Sequence, residues 1–104
     1  MIIKKKLLPI FQEIQNEREA QDAKFGIQNH CMHNFFDRNF CKMKEKFFRE
    51  INKKEDFRFS WLTVLLEEVY EAFAETKIEK QRAEMIQVAA VAVAIIEYLD
   101  REKK

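Results

Sequence analysis

Turn-forming residues are nearly absent from this chain: its 104 positions hold one glycine, Gly26, and one proline, Pro9. A protein of many short strands needs tight turns at every reversal, and these two residue types supply most of them. The chain instead carries long runs with apolar side chains at helical spacing, so the pattern predicts an all-α fold. Its length suits one domain, residues 1–104. A helical layer of this size buries little surface. The expected architecture is therefore a bundle of about four helices per chain, completed by oligomerisation as a homo-dimer or homo-tetramer.

Charge and hydropathy narrow the partners. The 19 basic and 18 acidic side chains nearly cancel, which leaves no net field to favour a nucleic-acid duplex or an anionic membrane. The opening MIIKKKLLPIF has lysines, but its apolar stretch is too short for a signal peptide. Met85 to Ile96 is apolar except for Gln87, and that run falls short of a bilayer span. Two cysteines with no extracellular signal read as reduced thiols, and the expected location is cytoplasmic.

Residues 1–8 read as a flexible arm, and Pro9 suits the first turn of a helix, where a missing N–H costs nothing. Ile10, Phe11 and Ile14, with Arg18 and Gln21, continue at helical spacing until Gly26. The stretch IQNHCMHN reads as a loop. A second helix is expected from Phe35 to about Lys53. Phe36, Phe40, Met43, Phe47 and Ile51 form its apolar stripe, while Lys42, Lys46, Arg49 and Glu50 face water. After the charged connector NKKEDFRF, Ser60 is a plausible N-cap, although Thr63 is not the Glu of a capping box.

The third helix, from about Trp61 to Lys77, has an apolar face of Leu62, Leu65, Leu66, Val69 and Phe73. Beside it lies a second face with Trp61, Val64, Glu68, Glu71 and Glu75. The fourth, from about Glu79 to Arg101, is apolar nearly all round and is expected to be enclosed on every side. Its alanines at 89, 90, 92 and 94 would allow close contacts between subunits.

Set into these two segments are four polar side chains: Glu68 and Glu71 in WLTVLLEEVYEAFAE, and Glu84 and Gln87 in AEMIQVAAVAVAIIEYL. Positions three apart share a helix face, so each segment offers a two-oxygen claw. Facing claws would suit a hard cation such as Mg²⁺. The plainer alternative is a solvated acidic face. Like charges packed in such apolar surroundings repel without a cation, and that favours the metal.

Other clusters carry less. His30, Cys31, His33 and Cys41 are competent zinc ligands, yet their spacing matches no finger or ribbon, and free thiols with loop histidines are the simpler reading. Phe25 or Phe35 would suit stacking on a base, but aromatic residues at helical spacing more often pack. Lys42, Lys44, Lys46 and Arg49 would suit phosphates. The intervening Glu45 and Glu50 favour an ordinary solvated face.

The runs LTVLLEEVYEAFAE and RAEMIQVAAVAVAIIEYL, with NEREAQDAKFGIQNH at residues 16–30, resemble the MazG-like all-α NTP pyrophosphatases, in particular the small phage and bacterial members. The family pattern is a Glu-Glu-x-x-Glu helix followed by a Glu-x-x-Asp helix, and the segment from Phe35 to Phe59 is less diagnostic. The resemblance implies a nucleoside triphosphate pyrophosphohydrolase that cleaves an NTP or dNTP to the monophosphate and pyrophosphate. It implies Mg²⁺, with Mn²⁺ as the alternative ion, held by Glu68, Glu71 and Glu84. The fourth ligand position falls on Gln87, where the family has Asp; an amide oxygen can ligate but brings no charge. Glu67 and Glu68 would be the catalytic carboxylates, Glu67 orienting water or binding a second ion. Arg18, Gln21 and Lys24, with Glu17, would contact the nucleotide. Two other readings stand beside this one: a homologue that binds nucleotides with little or no turnover, and a structural helical oligomer.

Overall fold

The computed structural model describes residues 2–32 and 37–103. Among these residues there are four α-helices and no strand: α1 (Leu8–Phe25), α2 (Asp37–Lys54), α3 (Trp61–Ala74) and α4 (Ile78–Glu102). By their contacts they group into two compact units, Met1–His30 and Cys31–Lys104. His33, Phe35 and Phe36, named above as a zinc ligand, a base-stacking ring and a stripe residue, lie outside the described residues.

The first unit contains α1. A turn closed by the Leu7 N–H on the Lys4 carbonyl leads into it, and Pro9 occupies its first turn. Gly26 ends it as expected: its φ of 67° lies in the left-handed region, and its N–H donates to the Asp22 carbonyl at 2.8 Å.

The second unit is a three-helix array with α3 in the middle, packed on α2 along one flank and on α4 along the other. Successive helices run antiparallel. Asn52, late in α2, reaches Thr63 and Glu67 early in α3, while Phe40, early in α2, meets Tyr70 further along α3. Trp61 at the start of α3 likewise lies beside Tyr98 near the end of α4.

Local signals explain most boundaries. Ser60 caps α3, and the cap is reciprocal: the Thr63 N–H donates to Ser60 Oγ at 3.4 Å, and the Ser60 N–H donates to Thr63 Oγ1 at 3.0 Å. Thr63 therefore completes the capping box that its sequence position was not expected to provide, because a hydroxyl can accept the same bond as a Glu carboxylate. Both the Ser60 carbonyl and the buried Thr63 are satisfied by a further bond from Thr63 Oγ1 at 2.9 Å. At the other end, α3 stops at Ala74, three residues before the expected Lys77. The α3–α4 link is held by Gln81 Nε2 donating to the Glu75 carbonyl at 2.9 Å.

Two faces differ from the sequence pattern. In α2 the predicted stripe is largely exposed at Phe40, Met43 and Phe47, and only Ile51 is buried. The helix instead buries Cys41 and Glu45, with Phe48 and Asn52 partly covered, a face turned by about one residue from the apolar one. Two polar members of that face each keep a partner, although Asn52 Oδ1 is buried without one. Glu45 pairs with Arg49, and Asn52 bonds to α3. Phe48 stacks on Tyr70 with ring planes 2° apart. The exposed rings have cations over them: Lys44 above Phe40 and Phe47, and Arg58 above Phe47 and Phe57.

The second difference is α4. Within one chain it is not enclosed: Val93 is its one buried residue among those described, and Ile86 and Leu99 are more than half exposed. Leu62 on α3 is 63% exposed, although the pattern puts it on the core face. Among the described residues of this unit α4 packs mainly on α3, and one packed neighbour covers only one stripe of a helix. No helix is long and apolar enough to cross a membrane among the described residues.

Candidate functional site

The antiparallel packing of α3 and α4 brings the acidic claws together. Glu68 and Glu71 stand one turn apart on α3, Glu84 projects from the second turn of α4, and one oxygen of each lies within 4.8 Å of the others. All three residues are partly buried. Glu68 Oε2 and Glu84 Oε2 are buried without a hydrogen-bond partner.

Electrostatics mark the cluster as strained. Burial, followed by the charges of Glu67 and Glu84, raises the Glu68 carboxyl above its ordinary pKa. Glu71 is raised too, by burial first and then by Glu84, Glu68 and Glu67; the Arg49 guanidinium pulls the other way. Carboxylates so placed are stabilised by protonation or by a cation.

The donor set fits a hard divalent ion. Oxygens around an octahedral Mg²⁺ are about 2.9 Å apart when adjacent and about 4.1 Å apart when opposite, given Mg–O bonds near 2.05 Å. The three carboxylates each bring one oxygen within 4.8 Å of the others, a little wider than that spacing, and Glu68 Oε2 and Glu84 Oε2 have no hydrogen-bond partner.

Glu67 faces away from the claw, toward α2. Its Oε1 accepts from Asn52 Nδ2 at 2.7 Å, and its Oε2 lies 4.0 Å from Arg49 Nε. The second Asn52 N–H bond goes to the Thr63 carbonyl at 3.0 Å, so both amide hydrogens serve α3. Two residues adjacent in sequence therefore take different surroundings: Glu68 sits among carboxylates, and Glu67 sits between an amide and a guanidinium. Gln87, one turn beyond Glu84, is exposed and makes no hydrogen bond among the described residues.

The nucleotide-contact candidates lie on α1, in the other unit. There Arg18 donates to Gln21 Oε1 at 2.7 Å and pairs with Asp22 at 2.8 Å, and Gln21 Nε2 reaches Glu17 at 3.4 Å. Lys24 sits over the Phe25 ring. Arg18 and Asp22 border a cleft of about 610 Å³ with Gly26, Ile27 and Gln28. Of the thiols, Cys31 is exposed and Cys41 is buried, where desolvation raises its pKa.

Sequence reasoning missed Asn52 and the pairing role of Glu45. The signal was faint but present: Cys41, Glu45, Phe48 and Asn52 recur at helical spacing. That reading requires admitting polar side chains to a buried stripe.

Comparison with family models, with curated proteins and with solved structures finds no match for this chain.

Proposed function

We propose that the chain is a Mg²⁺-dependent nucleoside triphosphate pyrophosphohydrolase of the MazG-like type, cleaving an NTP or dNTP to the monophosphate and pyrophosphate. The observation that carries this reading is the convergence of Glu68, Glu71 and Glu84 across α3 and α4, with two buried oxygens left unpartnered. Glu68, Glu71 and Glu84 would hold the ion, with Mn²⁺ as an alternative, and Gln87 would offer an amide oxygen after a side-chain rotation. A divalent ion bound there supplies charge neutralisation to a triphosphate.

The chain's own groups supply the rest. Glu67 is held by Asn52 and lies near Arg49, and it would be the base that takes a proton from the water attacking the α-phosphorus. Its fixed orientation matters as much as its charge, since a base that swings freely loses the advantage of position. Arg18, Gln21 and Lys24 on α1 would contact the nucleotide, as the resemblance implies.

The exposed apolar residues Leu62, Ile86 and Leu99, with the alanines of α4, support assembly as a homo-dimer or homo-tetramer. Two unpaired cysteines support a reducing, cytoplasmic setting. A second reading, nucleotide binding without turnover, draws on the neutral, exposed Gln87.

The deciding experiment is pyrophosphate release from a panel of NTPs and dNTPs with Mg²⁺ or Mn²⁺, beside Glu68→Ala. Release that disappears in the variant supports the enzyme. A folded protein that binds nucleotide and releases no pyrophosphate supports the binding module instead.

A further inference from the structure

Against the metal cluster runs a groove of about 240 Å³ between α2 and the last turn of α3. Lys42, Glu45 and Arg49 form one wall, a single stripe at i, i+3 and i+7; Glu71, Ala74 and Glu75 form the other. Glu71 belongs to both the groove and the cluster, so the two are continuous. Ala74 adds no bulk at the floor.

The charges in the groove are unequal in availability. Glu45 is buried and bound to Arg49. Glu71 faces the position where a cation would sit. Lys42 is exposed and makes no ion pair among the described residues. Arg49 spends one end on Glu45 and lies 4.0 Å from Glu67, yet its side chain is 52% exposed, and a guanidinium has five N–H donors. Arg49 and Lys42 line the same wall of the groove, and neither Glu71 nor Glu75 opposite has an ion pair among the described residues. A triphosphate carries more negative charge than one divalent ion neutralises, so its site needs cations beyond the metal.

We propose that this groove receives the polyphosphate chain of the substrate, with Lys42 and Arg49 contacting its non-bridging oxygens while the ion at Glu68, Glu71 and Glu84 holds the adjoining phosphate. The proposal rests on the metal reading above and assigns the phosphate contacts to α2. Arg49 also ties Glu45 and the neighbourhood of Glu67 to the same phosphate, so ligand binding and the placement of the base share one side chain.

The test is calorimetric and needs no turnover. Wild type, Lys42→Gln, Lys42→Arg and Arg49→Gln are titrated with Mn²⁺ alone and then, at saturating Mn²⁺, with inorganic tripolyphosphate. Lys42→Gln should keep wild-type Mn²⁺ affinity, and each glutamine variant should bind tripolyphosphate about tenfold more weakly, the loss of roughly one charge-assisted contact; Lys42→Arg should bind as wild type. Arg49→Gln strips Glu45 of its counter-charge and risks the fold, so exposed Lys42 carries the decision. Normal Mn²⁺ binding with unchanged tripolyphosphate affinity in Lys42→Gln would overturn the proposal and leave the metal reading standing. Tighter Mn²⁺ binding in that variant, with tripolyphosphate unaffected, would make the groove a second cation site and overturn it as well. A wild type that binds no Mn²⁺ would refute the metal reading, and the groove assignment with it.

Discussion

Replacing Glu68 by glutamine should stabilise the metal-free protein. In the cluster, Glu68 repels Glu71 and Glu84 with oxygens inside 4.8 Å. A pair of unit charges at about 4.8 Å costs near 1 kcal/mol in water and about 3.5 kcal/mol at an effective dielectric of 20. The cluster is partly exposed, so the lower end applies and partial protonation reduces it further. The net gain from Glu68→Gln should be about 1 kcal/mol, or a midpoint rise of about 4–8 °C for a domain of this size. The assay is thermal melting in chelator and then in millimolar Mg²⁺. Wild type should gain on adding Mg²⁺, by about 2.7 kcal/mol at a hundredfold excess over the dissociation constant, and the variant should gain far less. The pH dependence has a matching sign. Glu68 and Glu71 have raised pKa values in the folded chain, so the folded state holds protons that the unfolded state has released. The penalty is complete above the folded values and is relieved as pH falls through them to the ordinary carboxylate range. Metal-free wild type should therefore grow more stable on mild acidification, and Glu68→Gln should flatten that slope. A variant that melts lower than wild type in chelator, or that gains equally from Mg²⁺, would refute the account.

Other perturbations separate the parts of the fold. Asn52→Leu removes the bonds to Glu67 and to the Thr63 carbonyl, and denaturant titration should show a loss of about 1–3 kcal/mol. Ser60→Ala breaks the reciprocal cap of α3 and should cost about 1 kcal/mol by the same method. If a second copy covers the exposed apolar residues, Leu62→Lys should shift sedimentation toward the monomer; an unchanged coefficient would clear Leu62 of any interface.

What could be read from the sequence follows from whether a residue's surroundings are local. Pro9 and Gly26 act within their own turn, and both do what their chemistry dictates. The Glu68–Glu71 spacing is set by α3 alone, and Glu84 joins once α4 folds back, which the short link at Glu75–Lys77 enforces. The buried face of α2 was not legible because its logic lies fifteen residues away, in Glu67, which makes Asn52 affordable in a partly buried place. Hydrophobic periodicity chose Phe40, Met43 and Phe47 instead, three residues that the array leaves in contact with water. For α4 the pattern counted apolar positions without counting neighbours, and among the described residues of its unit it packs mainly on α3.

The central position of α3 has a consequence for how such a protein can change. One flank of this rod meets α4 at the carboxylate cluster, and the other meets α2 at the groove and at Asn52. Substitutions on the outward side of α2 can therefore change that surface without disturbing the carboxylates opposite. Libraries confined to Lys42, Lys46 and Glu50, all exposed, would vary that face while Glu68, Glu71 and Glu84 stay constant. On the proposed function, ligand choice would then change on one helix while the carboxylates stay on the other two, joined by a shared axle.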